Sequence, residues 1–348
     1  MGKQLTDRLR RVSQRLRRPE RFGNWLRARS ERTRRPELLR SFPLGIDLEP
    51  TTRCNLRCQA CQQNEGDWTP NDLSVERLER LLDQLPHLEQ IKFQGMGEPL
   101  LHDRFGELVA RIKRRRVRVY TITNGTTLHI ERCRRDILAS GLDELLVSID
   151  GATPATHART RGNSDLDRIV YGLKRLVELR GHARSPRLGI WCVGNARNIA
   201  ELPALVEIAA AIGADELFFQ TQLASWGKAA WDSRLAPLRL NPESAEALRH
   251  LEEAGREARR RRFTLTIHEG NRFSARRPCF WPWESCFISA AGFVTRCCIA
   301  SDPRLHNFGQ IETADFRAIW NSAEYRELRR AFRENRIPPL CRGCYEAG

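Results

Sequence analysis

The chain has 348 residues, 41% hydrophobic and 29% charged, with 59 Lys and Arg against 43 Asp and Glu for a net charge of +16. That size and balance predict a soluble globular chain of one large domain and a smaller one. They exclude a membrane-spanning chain, because no apolar run approaches the roughly 18 residues a span needs.

No secretory pattern opens the sequence. The 11 cysteines are therefore expected in a reducing cytoplasm, where metal ligation is commoner than disulfides. Residues 1–40 hold 14 Lys and Arg against 4 Asp and Glu, so +10 of the charge sits there. The basic balance belongs mainly to this extension, which weakens a nucleic-acid reading of the whole chain. Leu5, Leu9, Val12 and Leu16 form one helical apolar stripe, extended by Phe22, Trp25 and Leu26. Residues 1–43 thus read as a basic helical extension. It either packs on the body with a solvated arginine face or touches an anionic surface or acidic partner. It carries no metal ligand, so a chain starting near Ser41 is expected to keep its chemistry. The opening Met1–Thr6 fits a myristoylation pattern too short to weigh.

From residue 44 to 222 apolar strands alternate with amphipathic helices. Strands are predicted at Leu44–Leu48, Gln90–Gln94, Arg118–Thr123, Glu144–Ile149, Leu188–Val193 and Glu216–Gln220. Helices lie near 74–84, 104–114, 131–139, 165–179 and 200–211. Repeated strand–helix units predict a parallel sheet with helices outside it. Active sites of such folds lie at the C-terminal strand ends.

The first strand runs into Cys54, Cys58 and Cys61, spaced Cys-x3-Cys-x2-Cys. Three thiolates on one tight loop can hold three irons of a [4Fe–4S] cluster and leave the fourth open. A zinc knot usually wants four ligands and fits poorly. The spacing, with Asn55 after the first cysteine, resembles the radical S-adenosylmethionine (SAM) superfamily. The resemblance implies a partial (β/α)6 TIM-like barrel over residues 44–222, with SAM on the open iron. SAM is then cleaved to a 5′-deoxyadenosyl radical that abstracts a substrate hydrogen. A one-electron reductant such as flavodoxin or ferredoxin is implied as partner.

Three later motifs fall at the same strand ends. Gly95-Met96-Gly97-Glu98-Pro99 resembles the family's Gly-Gly-Glu-Pro motif, which implies that Gly97 and Glu98 receive the SAM ammonium. Thr123-Asn124-Gly125 ends strand three. Ser148-Ile149-Asp150-Gly151 ends strand four, and the resemblance implies that Ser148 and Asp150 hold the SAM ribose hydroxyls. Arg159 and Arg161 follow and could meet the SAM carboxylate. One departure is Ala60, where relatives carry an aromatic against adenine. Cys133 and Cys192 read as buried small hydrophobes.

Residues 223–270 form a bridge. Asn241 and Pro242 read as N-cap and N1 of a helix reaching Arg259–Arg262, followed by a strand over Phe263–Ile267. Residues 271–348 hold Cys279, Cys286, Cys297, Cys298, Cys341 and Cys344, with a hairpin turn at Gly292 between Cys286–Ala290 and Phe293–Cys298. This module, with Phe308-Gly309-Gln310-Ile311 and Ile319-Trp320-Asn321, resembles the SPASM/twitch domain. It implies a closed auxiliary [4Fe–4S] cluster on Cys279, Cys297, Cys341 and Cys344, two clusters in all. Cys298 can replace Cys297 and Cys286 is spare. The chain stops four residues after Cys344, which favours one auxiliary cluster over two. A four-cysteine zinc site fits the spacing alone.

The spacing is similar to that of the 2-deoxy-scyllo-inosamine dehydrogenase type, implying an oxidoreductase that dehydrogenates a sugar or cyclitol alcohol. Sugar epimerisation with a thiol such as Cys286, and peptide or protein modification, are the alternatives. A non-catalytic scaffold would leave Glu98, Ser148 and Asp150 without purpose. No catalytic acid or base is assigned, and Gln220 at the end of strand six cannot be one.

Overall fold

The strands of this chain are short and alternate in what they bury. In the computed structural model, which describes residues 18–64, 68–226, 228–269 and 273–345, their outward side chains meet the helices and their inward ones line a cavity. The stripe Leu5, Leu9, Val12 and Leu16 lies outside the described residues. α1 (Pro19–Arg34) is followed by β1 (Gly45–Leu48), α2 (Val75–Gln84), β2 (Gln90–Phe93), α3 (Phe105–Arg114) and β3 (Arg118–Thr123). Then come α4 (Glu131–Ser140), β4 (Glu144–Ser148), α5 (Pro154–Thr160), α6 (Leu166–Arg180), β5 (Arg187–Val193), α7 (Leu202–Ile212) and β6 (Glu216–Gln220). Ile46, Phe93, Val119, Val147 and Ile190 bury against apolar helix faces such as Leu78 and Leu81 of α2 and Leu108 and Ile112 of α3.

The bridge supplies α8 (Ala229–Leu235), α9 (Ala245–Arg260) and β7 (Leu265–His268). The last module supplies α10 (Trp281–Glu284), β8 (Ser285–Ile288), β9 (Val294–Thr295), α11 (Phe316–Trp320) and α12 (Ala323–Arg333). The six core strands β1 to β6 are all present, and the sheet extends beyond them at both edges. The sheet runs β7-β6-β5-β4-β3-β2-β1-β8-β9, with β1 to β8 parallel and only β9 antiparallel. β7 pairs with β6, so the bridge extends the sheet at one edge. β8 pairs with β1, Cys286 opposite Ile46, so the module's hairpin is also the barrel's other edge. Each edge strand otherwise left open is thereby covered. The hairpin turns at Gly292, whose φ of +86° is a glycine conformation.

One local reading changes. The helix expected at Asn241 starts later: Ser244 caps α9 by accepting from Ala247 N (3.2 Å), and Asn241 makes a turn with Glu243 N (3.1 Å). The extension is stitched to the body. Arg21 of α1 donates to the carbonyl of Arg115 (2.9 Å), and Arg32 pairs with Glu284 (2.9 Å). Buried Arg329 donates to the carbonyls of Glu37 (3.0 Å), Pro282 (2.8 Å) and Trp320 (2.7 Å). The segment from Arg18 to Arg40 therefore packs on the folded body. Among the described residues no helix is long and apolar enough to cross a membrane.

Candidate active site

The cysteine loop leaves the C-terminal end of β1 and is pinned on both sides. Thr51 Oγ1 donates to Asp72 Oδ1 (2.5 Å), and Arg53 pairs with Asp72 Oδ2 (2.8 Å). The chain then turns tightly, with Cys61 N and Asn64 Nδ2 both donating to the Cys58 carbonyl (3.1 and 2.6 Å). Cys54, Cys58 and Cys61 all line one cavity of ≈450 Å³ at the C-terminal strand ends. Burial pushes the Cys54 thiol up to about 11, and the other two sulfurs add to it; burial also raises Cys61. Three free thiols held together suit a cationic group that binds them as thiolates. Among the described residues no three His, Cys, Asp or Glu groups converge on one ion. A cluster needs no such convergence, because each thiolate binds a different iron.

Gly97 sits hard against this loop. A Cβ there would lie 2.1 Å from the Thr51 carbonyl oxygen and 2.7 Å from that of Arg53, and Glu98 N donates to the Arg53 oxygen (2.8 Å). Buried Glu98 accepts from Leu100 N (3.0 Å), Thr123 Oγ1 (2.5 Å) and Asn124 N (2.6 Å). A carboxylate offers about four acceptor positions, so one remains for an incoming ammonium. Asn124 also ties back to the cysteine loop, donating to Asn55 Oδ1 (2.9 Å). Ser148 lines the cavity beside them.

Asp150 and Arg161 line the cavity too, but they meet each other. Arg161 Nε lies 3.1 Å from Asp150 Oδ2, an ion pair without hydrogen-bond alignment, and its Nη1 donates to Cys58 Sγ (3.8 Å). Burial works against the arginine charge, yet Asp150 and the Cys58 and Cys61 sulfurs outweigh it and raise its pKa. Asp150 and Arg161, expected at the ribose and the carboxylate, thus each have part of their valence spent on the other. Asp150 Oδ1 further accepts from Val193 N (2.7 Å). Its own N–H donates to Nδ1 of His157, which burial lowers to about 4 and so keeps neutral. Arg159 is exposed on α5 and does not line the cavity.

Two further features went unread in the sequence. Trp226 of the bridge lines the cavity and donates its indole N–H to the Ala60 carbonyl (2.8 Å), so an aromatic covers the position where Ala60 lacks one. The cavity floor is a set of register partners, Asp47 opposite Lys92 and Lys92 opposite Tyr120. Lys92 Nζ lies 5.9 Å from both the Tyr120 and Trp191 rings, and Trp191 meets His268 at 5.5 Å. Burial raises the Asp47 pKa against the opposing effects of Lys92, Gln94 and Cys298. The signal was present: Gly-Ile-Asp-Leu and Gln-Ile-Lys-Phe each carry one charge at an inward position of an apolar strand.

The second cysteine set assembles behind β8 and β9. Cys341 and Cys344 share one 3₁₀ turn, Pro339–Cys344. Burial raises Cys279 well above its usual value, with Cys297, Cys341 and Cys344 adding to it; burial likewise pushes Cys297 and Cys344 up to about 12. Four free thiols that destabilise one another's ionisation fit a cationic cluster. Phe273 packs against the Phe280 and Tyr345 rings at 6.1 and 5.9 Å, and the Tyr345 hydroxyl accepts from Cys279 N (2.9 Å). Of the adjacent pair, Cys297 faces this set, while Cys298 hydrogen-bonds Asp47 and lines the first cavity. Cys286 is fully buried in the core and lines neither site, so it is not a cavity thiol. Cys192 is likewise buried in the core, and Cys133 is partly buried against it.

A sequence model of the radical SAM superfamily matches residues 48–209, and one of the SPASM iron–sulfur cluster-binding domain matches 279–345. The chain is 30% identical over 181 residues to the tungsten-containing aldehyde ferredoxin oxidoreductase cofactor-modifying protein of Pyrococcus furiosus, covering 51% of each. It is 28% identical over 314 residues to the PqqA peptide cyclase of Granulibacter bethesdensis, covering 87% of this chain and 79% of that one. The chain spans about half the length of the Pyrococcus relative. Among solved structures it resembles Streptococcus suis SuiB bound to precursor peptide SuiA, with a TM-score of 0.67 at 15% identity over 88% of this chain and 70% of that one. It also resembles BtrN in complex with AdoMet and 2-DOIA, with a TM-score of 0.54 at 16% identity over 86% and 92%. At those identities the likeness is one of fold.

Proposed function

The chain is a radical SAM protein with a C-terminal SPASM domain, and from that premise we propose that it performs a two-electron oxidation of a substrate C–H bond, dehydrogenating a secondary alcohol of a sugar or cyclitol. The observation that carries this reading is the position of Cys298. It lines the cavity that holds Cys54, Cys58 and Cys61, and its chain neighbour Cys297 belongs to the second set. A substrate in this cavity therefore sits between two cysteine sets. When bound, SAM and the clusters supply a hydrogen-abstracting radical and an acceptor for the second electron.

The protein's own part is positional. Gly97 lets the Glu98 loop close on the cysteine loop, and the last acceptor site of Glu98 takes the SAM ammonium. Ser148 and Asp150 orient the ribose, and Trp226 covers the adenine in place of an aromatic at Ala60. Asp47, Lys92, Tyr120, Gln94 and His268 offer donors and acceptors to a hydroxyl-rich substrate. Asp47 is the carboxylate nearest to serving as acceptor of the alcohol proton. A flavodoxin- or ferredoxin-type protein provides the reducing electron, and the exposed arginines of α1 offer an anionic partner a contact.

Peptide modification is the second reading, favoured by the PqqA peptide cyclase match over 87% of this chain. Sugars and cyclitols deuterated at each carbinol carbon separate the two. Deuterium passing into 5′-deoxyadenosine, with product lighter by the hydrogen and the alcohol proton, supports dehydrogenation. Transfer only from a labelled peptide would shift the substrate class. Solvent deuterium entering the product carbon, lost in Cys298→Ala, would make the reaction an epimerisation. Replacing Cys341 and Cys344 with Ala should leave about four of about eight irons and still allow SAM cleavage, but stop product formation.

A further inference from the structure

Each cysteine set has one arginine on a sulfur, and the two arginines differ in what else they touch. At the first, Arg161 Nη1 reaches Cys58 Sγ at 3.8 Å while its Nε lies 3.1 Å from the Asp150 carboxylate. Its charge is matched locally. At the second, Arg296 Nη1 reaches Cys341 Sγ at 3.7 Å. Arg296 is only 8% exposed, and among the described residues no carboxylate pairs with it. Its guanidinium lies 6.0 Å from the Phe308 ring, an aromatic face that accepts a cation without cancelling its charge. It also lines an outer groove with His306, Phe308, Leu328 and the carboxylates Glu324 and Glu327; Glu327 pairs with Arg330 and Arg336, and neither carboxylate forms an ion pair with Arg296. The cation thus stands between the thiols and the solvent.

We propose that Arg296 raises the reduction potential of the auxiliary cluster. The inference rests on the reading of Cys279, Cys297, Cys341 and Cys344 as cluster ligands. Adding an electron to a four-thiolate cluster increases its negative charge. A hydrogen bond to a ligand sulfur and an uncompensated buried cation both stabilise that reduced form and raise the potential. At the first site the Asp150 carboxylate offsets the same contribution from Arg161. The arginine side chain suits this task, since its charge persists when buried and its planar fork can keep one N–H on sulfur.

The test uses the full chain with Cys54, Cys58 and Cys61 replaced by Ala, so that only the auxiliary cluster remains. Iron content and an EPR-monitored redox titration are read with Arg296 intact, as Arg296→Gln and as Arg296→Lys. Arg296→Gln should lower the midpoint so that the oxidised-to-reduced ratio at the parent's midpoint rises about tenfold, about 59 mV for a one-electron couple. Arg296→Lys keeps the charge and should fall in between. Four irons with an unmoved midpoint in Arg296→Gln would overturn the proposal. No iron in the parent would instead overturn the auxiliary-cluster reading itself. Should only Arg296→Gln lose iron, the parent grown with ¹⁵N-arginine decides: pulsed EPR of the reduced cluster should show an arginine nitrogen coupling, and its absence refutes the contact.

Discussion

Replacing Gly97 with Ala places a methyl where two backbone carbonyls already stand, 2.1 Å from the Thr51 oxygen and 2.7 Å from the Arg53 oxygen. Ordinary contact begins at 3.4 Å, so the shortfall exceeds an ångström against the nearer one. Neither neighbour is a side chain that could swing away. Both carbonyls belong to the loop entering Cys54, and the Arg53 oxygen is the acceptor for Glu98 N at 2.8 Å. Overpacking of this kind costs about 1–3 kcal/mol, and rigid backbone on the other side argues for the upper end. If the 95–98 loop moves out to relieve it, Glu98 leaves its place and SAM affinity falls by up to about a hundredfold, at about 1.4 kcal/mol per decade. Equilibrium dialysis with SAM, iron content and thermal unfolding measure the three consequences. Gly255→Ala is the control: it lies inside α9 with Arg259 Nη1 at 3.6 Å as nearest atom, and should stabilise by about 0.5–1 kcal/mol. A Gly97→Ala protein with unchanged SAM affinity, iron and melting temperature would refute this account of the loop.

Glu49, which accepts from Met96 N (2.7 Å) and Ala290 N (3.1 Å), is raised by burial to about 7 from a usual 4.5. A carboxyl raised on folding contributes stability that is complete below its unfolded value and lost as pH rises through about 7, up to about 3 kcal/mol. Urea unfolding between about pH 5.5 and 8 should therefore have a flatter pH dependence in Glu49→Gln, and parallel curves would contradict it. Trp226→Ala should weaken SAM binding by about 1–3 kcal/mol, the usual worth of base stacking, while leaving both clusters' iron in place; unchanged affinity would free Trp226 of that role. A chain starting at Ser41 should unfold at a lower urea midpoint than the full chain, because it loses the Glu37 carbonyl that Arg329 needs and the Leu39 backbone bonded at both groups by Asn321. Each orphaned buried donor costs about 1–3 kcal/mol, and coincident midpoints would dismiss the staple.

What the sequence alone determined is what depends on near neighbours. Cys54, Cys58 and Cys61 lie within eight residues, so their spacing dictates a thiol loop whatever the rest of the chain does. Strands β1 to β6 and helices α2 to α4, α6 and α7 were legible because short apolar runs alternate with segments whose apolar residues recur at the helical period. Cys341 and Cys344 likewise share one turn. The tertiary structure decided everything that requires a distant partner. Ser285–Ile288 reads as half of a hairpin, and only pairing with β1, some 240 residues earlier, makes it part of the barrel. Trp226 reaches Ala60 across 166 residues, and Arg329 reaches Glu37 across 292. Cys297 and Cys298 are chemically alike and lie in the bend after β9 ends at Thr295, so no strand period assigns them; the Asp47 carboxylate and the three other thiols make that choice. Asp150 and Arg161 were each legible as polar groups at the cavity, but their pairing was not, because a charge finds its partner by distance in space, and spacing along the chain does not report it.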